Sequence, residues 1–170
     1  MPEAQILDQD IARKITRRPV TDDDLEFLHR LYESTRWDLD LLPLNDEQKK
    51  AFVDQQFNAQ HTHYHKFFAG ADFDIVLLND RPVGRIYVWE GKKEVRVVDI
   101  SMLPEFRGSG IGGTVMQQAI DQAARADKPL RLWVESVNPA RQWYEKTGFH
   151  VIEDKGINQH MELPAPSNAT

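Results

Sequence analysis

Four of the nine glycines in this 170-residue chain fall between Gly108 and Gly113. They sit inside the stretch from Glu94 to Ala126, which reads as a strand, a tight turn and a helix. Glycine lets backbone N–H groups turn toward a ligand with no Cβ in the way. The helix that follows brings unpaired N–H groups and the positive end of its dipole. Arg107 at the entrance adds a positive charge. Together these features predict a site for an anion, a phosphate or pyrophosphate.

The surrounding pattern fixes the fold class. Residues 11–18 alternate enough for an edge strand, and Pro19 closes it. Thr21 or Asp22 caps a helix whose apolar stripe is Leu25, Leu28, Leu31 and Tyr32. Asn45 with Gln48 forms a capping box for a second, mostly polar helix over 46–66. Strands then follow at 73–78, 83–89 and 95–103 with short turns between them, an antiparallel meander. After the glycine cluster come a helix over 110–126, buried through Ile111, Val115, Ala119, Ile120 and Ala123, and an apolar strand over 130–135. That strand runs parallel to 95–103, as strand–helix–strand crossovers do. A helix over 139–147 and strands at 149–154 and 157–163 complete an α+β fold: one mixed sheet with helices on both faces. The chain reads as one domain, 1–163, with a loosely held start over 1–10 and a disordered tail over 164–170.

Composition excludes several chemistries. There is no cysteine, hence no disulfide, thiolate metal site or cysteine nucleophile. The formal net charge of −6 argues against general nucleic-acid binding. The acidic start without an apolar run suggests no signal peptide, and no run of 18 apolar residues suggests a membrane span. A cytoplasmic soluble protein is the expectation.

The letters Gly108-Ser109-Gly110-Ile111-Gly112-Gly113 also satisfy the dinucleotide fingerprint, so a dinucleotide-binding oxidoreductase is a competing reading. Against it, Pro104-Glu105-Phe106-Arg107 separates strand from glycines. The unit sits behind an antiparallel meander, and only 57 residues follow Gly113. A Walker loop is excluded, because no Gly-Lys-Ser/Thr follows.

Arg107-Gly108-Ser109-Gly110-Ile111-Gly112 resembles the R/Q-x-x-G-x-G/A acyl-CoA-binding motif of the GNAT superfamily of N-acetyltransferases. Asn138-Pro139-Ala140, followed by Tyr144-Glu145-Lys146 and Gly148-Phe149, resembles that family's second signature. The likeness covers about residues 11–163. It implies a GNAT-like acyl-CoA N-acyltransferase fold, with the parallel strand pair splayed around coenzyme A. It implies transfer of an acetyl group from acetyl-CoA to a primary amine by direct attack in a ternary complex, without a metal. Met102, Leu103, Arg107, Gly108, Ser109, Gly110, Ile111, Gly112, Gly113, Asn138 and Tyr144 would contact the coenzyme. The backbone of Met102 and Leu103 would pair with pantetheine, with an N–H near Met102 receiving the oxyanion. Ser109 is a loop residue here, not a nucleophile, as the pattern holds no base for it.

The chemistry asks for a base and an acid. An alkyl amine with a pKa near 10.4 is neutral in only about one molecule in 2,500 at pH 7, a deficit of roughly 4.6 kcal/mol. Asp99 is the lone charge between Val97 and Leu103 and stands where many GNAT enzymes have a Glu. Its shorter arm favours action through a water. Tyr144 matches the family's tyrosine acid for the leaving thiolate. Trp37, Tyr64 and Glu90 are candidates for lining the acceptor site. The acceptor stays open among small amines, amino acids, antibiotics and peptide N-termini, and the likeness is compatible with a homodimer. A catalytically silent acyl-CoA-binding module is a further alternative. His61, His63 and His65 are spaced i, i+2, i+4 and do not converge on a metal from a helix. The tryptophans read mostly as core.

Overall fold

A computed structural model describes residues 14–168. The loose start over 1–10, and residues 11–13 of the expected first strand, lie outside the described residues. The seven strands follow the hydrogen-bonded order β1-β2-β3-β4-β5-β7-β6. Four α-helices accompany them among the described residues. Contacts cluster the chain into two compact units. One holds the described residues up to Tyr87 together with Asp99–Thr114; the other holds Val88–Val98 with Val115 onward.

In the first unit, β1 (Ile15–Pro19) runs antiparallel to β2 (Asp72–Leu78), with Ile15 opposite Leu78 and Pro19 opposite Asp74. Pro19, read as the residue that closes the strand, is its last member, a place where a missing N–H costs little. Asn79 and Asp80 link β2 to β3 (Arg81–Glu90), both with positive φ (50° and 65°). Two left-handed residues make the tight hairpin turn that matches strand twist, and Asn and Asp tolerate that geometry best after glycine. Asp22–Asp24 form a 3-10 turn before α1 (Leu25–Ser34). Leu28, Leu31 and Tyr32 are buried as the spacing predicts. Leu25 is 40% exposed, because it opens the helix instead of lying in its packed turns.

The second helix, α2 (Asp46–Phe67), begins with the predicted capping box: Gln48 N–H donates to Asn45 Oδ1, and Asn45 N–H to Gln48 Oε1. Its polar composition leaves only Val53 and Phe57 fully buried. These two join Leu28, Tyr32, Leu39, Ile75 and Leu77 in one apolar cluster.

In the second unit, the start of β4 (Val95–Met102) pairs in parallel with β5 (Leu130–Glu135), Val95 opposite Leu130 and Val97 opposite Leu132. All six residues of β5 pair antiparallel with β7 (Asn158–Leu163), which in turn carries β6 (His150–Asp154). A bulge between Val151 and Glu153 interrupts that last ladder. α3 (Ile111–Arg125) buries Ile111, Val115, Ala119 and Ala123; Met116, not Ile120, completes the face. The short α4 is Ala140–Thr147. The tail expected to be disordered has a defined path up to Asn168. Ala165 is 2% exposed, Pro166–Asn168 form a 3-10 turn, and Ser167 N–H donates to Asp127. An alanine able to bury itself was not visible in the Pro-rich letters. The tryptophans also depart from expectation: Trp37, Trp133 and Trp143 are all substantially exposed.

Asp24 ties β1 to the first helical turns. Both carboxylate oxygens accept from Arg18 (2.7 and 2.8 Å), and Thr21 N–H donates to it at 2.8 Å. The Arg18 hydrogen bonds, then that of the Thr21 N–H, hold the carboxyl down at about 2 against the opposition of burial. A depressed folded-state pKa gives stability that is present above the unfolded value near 3.8 and lost as pH falls toward 2. Arg18 is 40% exposed, which screens part of the interaction. Asp24→Asn should lower stability by on the order of 1–2 kcal/mol at pH 6. Its melting temperature should fall less steeply than the wild type's between pH 4 and 2. Parallel acid melting curves for the two proteins would contradict this role.

Candidate active site

β4 leads directly into the glycine-rich turn. Leu103 N–H still pairs with Val83 C=O at 2.8 Å, and Pro104–Phe106 then form a 3-10 turn. The PEFR spacer noted in the sequence is this turn. Gly108 and Gly110 follow with φ of 75° and 89°. A side chain at either position would strain the backbone, so the loop needs glycine at both. Ser109 Oγ donates to Phe106 C=O at 2.5 Å, which makes it a brace of the turn. α3 starts at Ile111, anchored by the buried Ile111 side chain and by Thr114 donating to Gly110 C=O through N–H and Oγ1. The first turn of α3, with Gly112 and Gly113, thus presents helix-terminal N–H groups beside a loop of two left-handed glycines.

Arg107 does not project toward this loop. Its Nε donates to Met102 C=O at 3.0 Å, and its Nη2 reaches Ser34 C=O and Oγ at 3.4 and 3.3 Å. It joins the end of α1 to the end of β4.

Three residues upstream of Met102 lies Asp99. Its Oδ2 accepts from Arg85 Nη2 at 2.8 Å and from Tyr64 Oη at 2.9 Å; its Oδ1 accepts from Ser101 Oγ at 2.7 Å. The same Arg85 nitrogen donates to Gln60 Oε1 at 2.8 Å. Arg85 is 3% exposed, and its guanidinium lies 4.9 Å from the Tyr87 ring centroid. Burial works against its charge, but the Asp99 carboxylate, with Tyr87 and Tyr64, keeps the guanidinium firmly protonated. Burial first, and the Asp99 charge second, push the Tyr64 phenol far above its ordinary value, so it stays neutral and donates.

The structure thus joins Asp99 and Tyr64, two residues singled out separately in the sequence. Trp37 opens a 3-10 turn (Trp37–Leu41) and is 64% exposed. Tyr144, Asn138 and Glu90 belong to the other unit. Tyr144 is buried between Trp143 and Phe149. Asn138 Oδ1 accepts from Ala140 N–H at 2.9 Å and opens α4. Glu90 is exposed at the end of β3. The rings of His61 and His65 lie 4.4 Å apart, and His65 stacks on Phe73 at 4.2 Å. Burial, then His65 and Arg85, lowers the His61 imidazole. Sequence reasoning missed Arg85 and Gln60. The signal for Arg85 was present, since it is a lone charge among Val83, Ile86, Tyr87 and Val88, one strand before the lone charge of Asp99.

An acetyltransferase (GNAT) domain model matches residues 41–163, which contain the glycine loop, Asp99 and the Asn138–Phe149 segment. The chain belongs to the GNAT acetyltransferase family. An uncharacterized N-acetyltransferase of Archaeoglobus fulgidus is 41% identical over 71 residues, 41% of this chain. That match spans 48% of the relative, about half its length. The GNAT fold is also seen in a PaiA N-acetyltransferase from Thermoplasma acidophilum solved with coenzyme A. Its TM-score is 0.68 at 19% identity, covering 88% of this chain and 98% of that one. Naa50 of Arabidopsis thaliana, solved with the bisubstrate analogue CoA-Ac-MVNAL, gives 0.56 at 20%, covering 88% and 97%. The 3-10 turn between β4 and the glycines departs from the dinucleotide pattern, in which the glycines follow the strand directly. Among the described residues, no helix of this GNAT protein is long and apolar enough to cross a membrane.

Gly84, buried on β3 directly before Arg85, is the close approach that lets the two strands meet here. A Cβ on it would run into the Ser101 carbonyl oxygen and Met102. Backbone on one side cannot yield as a side chain can. Gly84→Val should therefore cost about 2–3 kcal/mol, read as a fall in denaturation midpoint. An unchanged midpoint would mean that the β3–β4 contact is looser than described.

Proposed function

We propose that this GNAT protein transfers the acetyl group of acetyl-CoA to the primary amine of a small molecule or peptide. The observation that carries the reading is one continuous piece of chain. β4 supplies Asp99 and then Met102 and Leu103, and within eleven residues of Met102 it delivers the whole glycine loop, Arg107–Gly113. Acceptor chemistry and anion binding therefore sit on one strand–turn–helix unit. The coenzyme named in the Thermoplasma structure and the CoA–peptide analogue named in the Naa50 structure support this assignment.

The backbone of Gly108–Gly113 and the start of α3 would hold the pyrophosphate, with Ile111 anchoring the helix. Met102 and Leu103 would align the pantetheine arm, and Asn138 would add a hydrogen bond to it. Arg107 positions this backbone by holding Met102. The coenzyme supplies an activated thioester. The amine nitrogen attacks the thioester carbonyl, an N–C bond forms and the C–S bond breaks. Tyr144 gives its proton to the departing thiolate. The proton lost by the amine leaves through a water received by Asp99. An ionised carboxylate has about four acceptor positions. Three of these are used by Arg85, Tyr64 and Ser101, which leaves one on Oδ1 for that water. Trp37 and Tyr64 would flank the acceptor, and Glu90 would attract its positive charge.

Acetyl-CoA at 100 times its Kd should stabilise the chain by about 2.7 kcal/mol, while NADH should give no shift. The reverse pattern would point to the dinucleotide reading. Tyr144→Phe should lower kcat about 100-fold with little change in coenzyme affinity. An unchanged kcat would remove Tyr144 as the acid. Tight coenzyme binding with no thiol release across amines, peptides and polyamines would favour a silent acyl-CoA-binding module.

A further inference from the structure

The 3-10 turn Trp37–Leu41, with Leu42 after it, turns an unusual amount of apolar surface to water. Four of these six residues are large and apolar, and only Leu39 is buried, in the cluster with Val53 and Phe57. Trp37 is 64% exposed, Leu41 74% and Leu42 42%. Exposed apolar side chains scattered singly need no explanation, but three within six residues concentrate apolar surface as binding sites do. The turn is also firmly held. Arg36 Nε and Nη2 fork onto the Asp38 carboxylate, both at 3.0 Å, and Nη1 donates to Tyr32 Oη at 2.6 Å. The same guanidinium lies 5.7 and 5.6 Å from the Tyr32 and Phe52 ring centroids. Leu39 N–H donates to Arg36 C=O, Leu42 N–H to Leu39 C=O, and Lys49 Nζ ties Asp40 to α2 at 3.3 Å. A backbone braced in this way presents its side chains with little ordering left to do when a ligand arrives.

The position of the turn points to its occupant. It begins three residues after Ser34, the end of α1, and Arg107 links that residue to the end of β4. Arg107 Nη2 lies 3.4 and 3.3 Å from Ser34 C=O and Oγ, while its Nε donates to Met102 C=O at 3.0 Å. The apolar turn therefore leaves the chain beside the strand end that leads into the glycine loop. Residues 33–42 also carry three acids, Glu33, Asp38 and Asp40, against one arginine, Arg36. The Asp40 side chain is open to solvent. Apolar surface among acids complements a molecule that is apolar and positively charged at once, and a protonated amine with a bulky substituent is such a molecule. We infer that the Trp37–Leu42 turn is an acceptor platform that selects primary amines bearing a bulky apolar group, aliphatic or aromatic, over small or polar ones. The inference rests on the acetyl-transfer reading and adds Leu41 and Leu42 to its acceptor side. Apolar contact of this kind is made in ground and transition states alike, so it acts mainly through KM.

The test uses the full chain, acetyl-CoA and two pairs of acceptors, followed by thiol release. One pair is 2-phenylethylamine and ethylamine. The other is two lysine-free peptides that differ only in beginning with Phe or with Ser. In at least one pair kcat/KM for the apolar member should exceed that of its partner by about 30-fold, the effect of covering a phenyl-sized group, and most of the difference should lie in KM. The pair that shows it tells a small amine from a peptide as the source of the apolar group. Trp37→Ser and Leu41→Ser should each narrow the ratio about fivefold or more through a higher KM for the apolar member. Both side chains are exposed, and the acetyl-CoA melting shift reports whether each variant is folded. Flat or reversed preference in both pairs overturns the inference and leaves acetyl transfer standing. An unmoved ratio in both folded variants also overturns it, and the wild-type pairs decide the matter if neither variant folds. Sedimentation of the wild type as a dimer that Leu41→Ser converts to a monomer means that a second copy covers the turn, which overturns it too. Turnover of no amine, with or without acetyl-CoA stabilisation, brings down both the inference and the acetyl-transfer reading.

Discussion

A guanidinium that is almost wholly buried needs a counter-charge within hydrogen-bond reach, and Arg85 finds it in Asp99. Removing one partner of such a pair costs about 3–5 kcal/mol, because the other is left charged and dry. The pair consequently fixes more than two side chains. It sets where β3 and β4 may lie, since Arg85 and Asp99 stand on those strands with Gly84 packed beside Ser101 and Met102. It also fixes how α2 approaches, since Gln60 and Tyr64 both end on it. A polar helix with only two fully buried residues in its length gains little from apolar burial. Its hydrogen bonds to the Arg85–Asp99 pair compensate with direction what they lack in area.

This explains a feature that looks paradoxical from composition alone. The α2 sequence is dominated by Gln, Lys, Asp and His, yet it runs 22 residues without a break. Its start is secured by the Asn45–Gln48 box. Toward its C-terminal half, aromatic contacts take over, as Phe57, His61, His65 and Phe73 form a chain of ring contacts. Tyr64 turns its edge to Tyr87. His61 and His65 serve here as flat packing surfaces.

Much of the fold was legible because short-range signals were strong. The capping box located α2, and the glycine cluster located the start of α3 to within a residue or two. The family resemblance carried by Arg107–Gly112 and Asn138–Phe149 stood on the same kind of local spelling. What the letters withheld was long-range pairing. Asp99 was noticed as a lone charge and Tyr64 as a cleft candidate, but their hydrogen bond depends on how α2 lies over the strands. Arg85 was passed over because its meaning exists only once β3 is placed beside β4. Arg107 was read as a charge for a ligand, whereas its length lets it fold back onto Met102 and Ser34. Leu25 and Ala165 show the same limit at element ends, where periodicity does not reveal what lies beyond the last turn.

The bulge between Val151 and Glu153 has a bearing on how this protein behaves in a crowded solution. β6 ends the strand order, and every one of its residues is exposed. With Val151 and Ile152 in its middle, such an edge offers a template on which a second chain could grow as an added strand. The misregister bends the ladder at those two apolar residues, and Glu153, Asp154 and Lys155 place both signs of charge just beyond. A straight incoming strand meets a kink and then a charged end. The irregularity in the last ladder is therefore a safeguard of solubility, built into the strand most exposed to unwanted pairing.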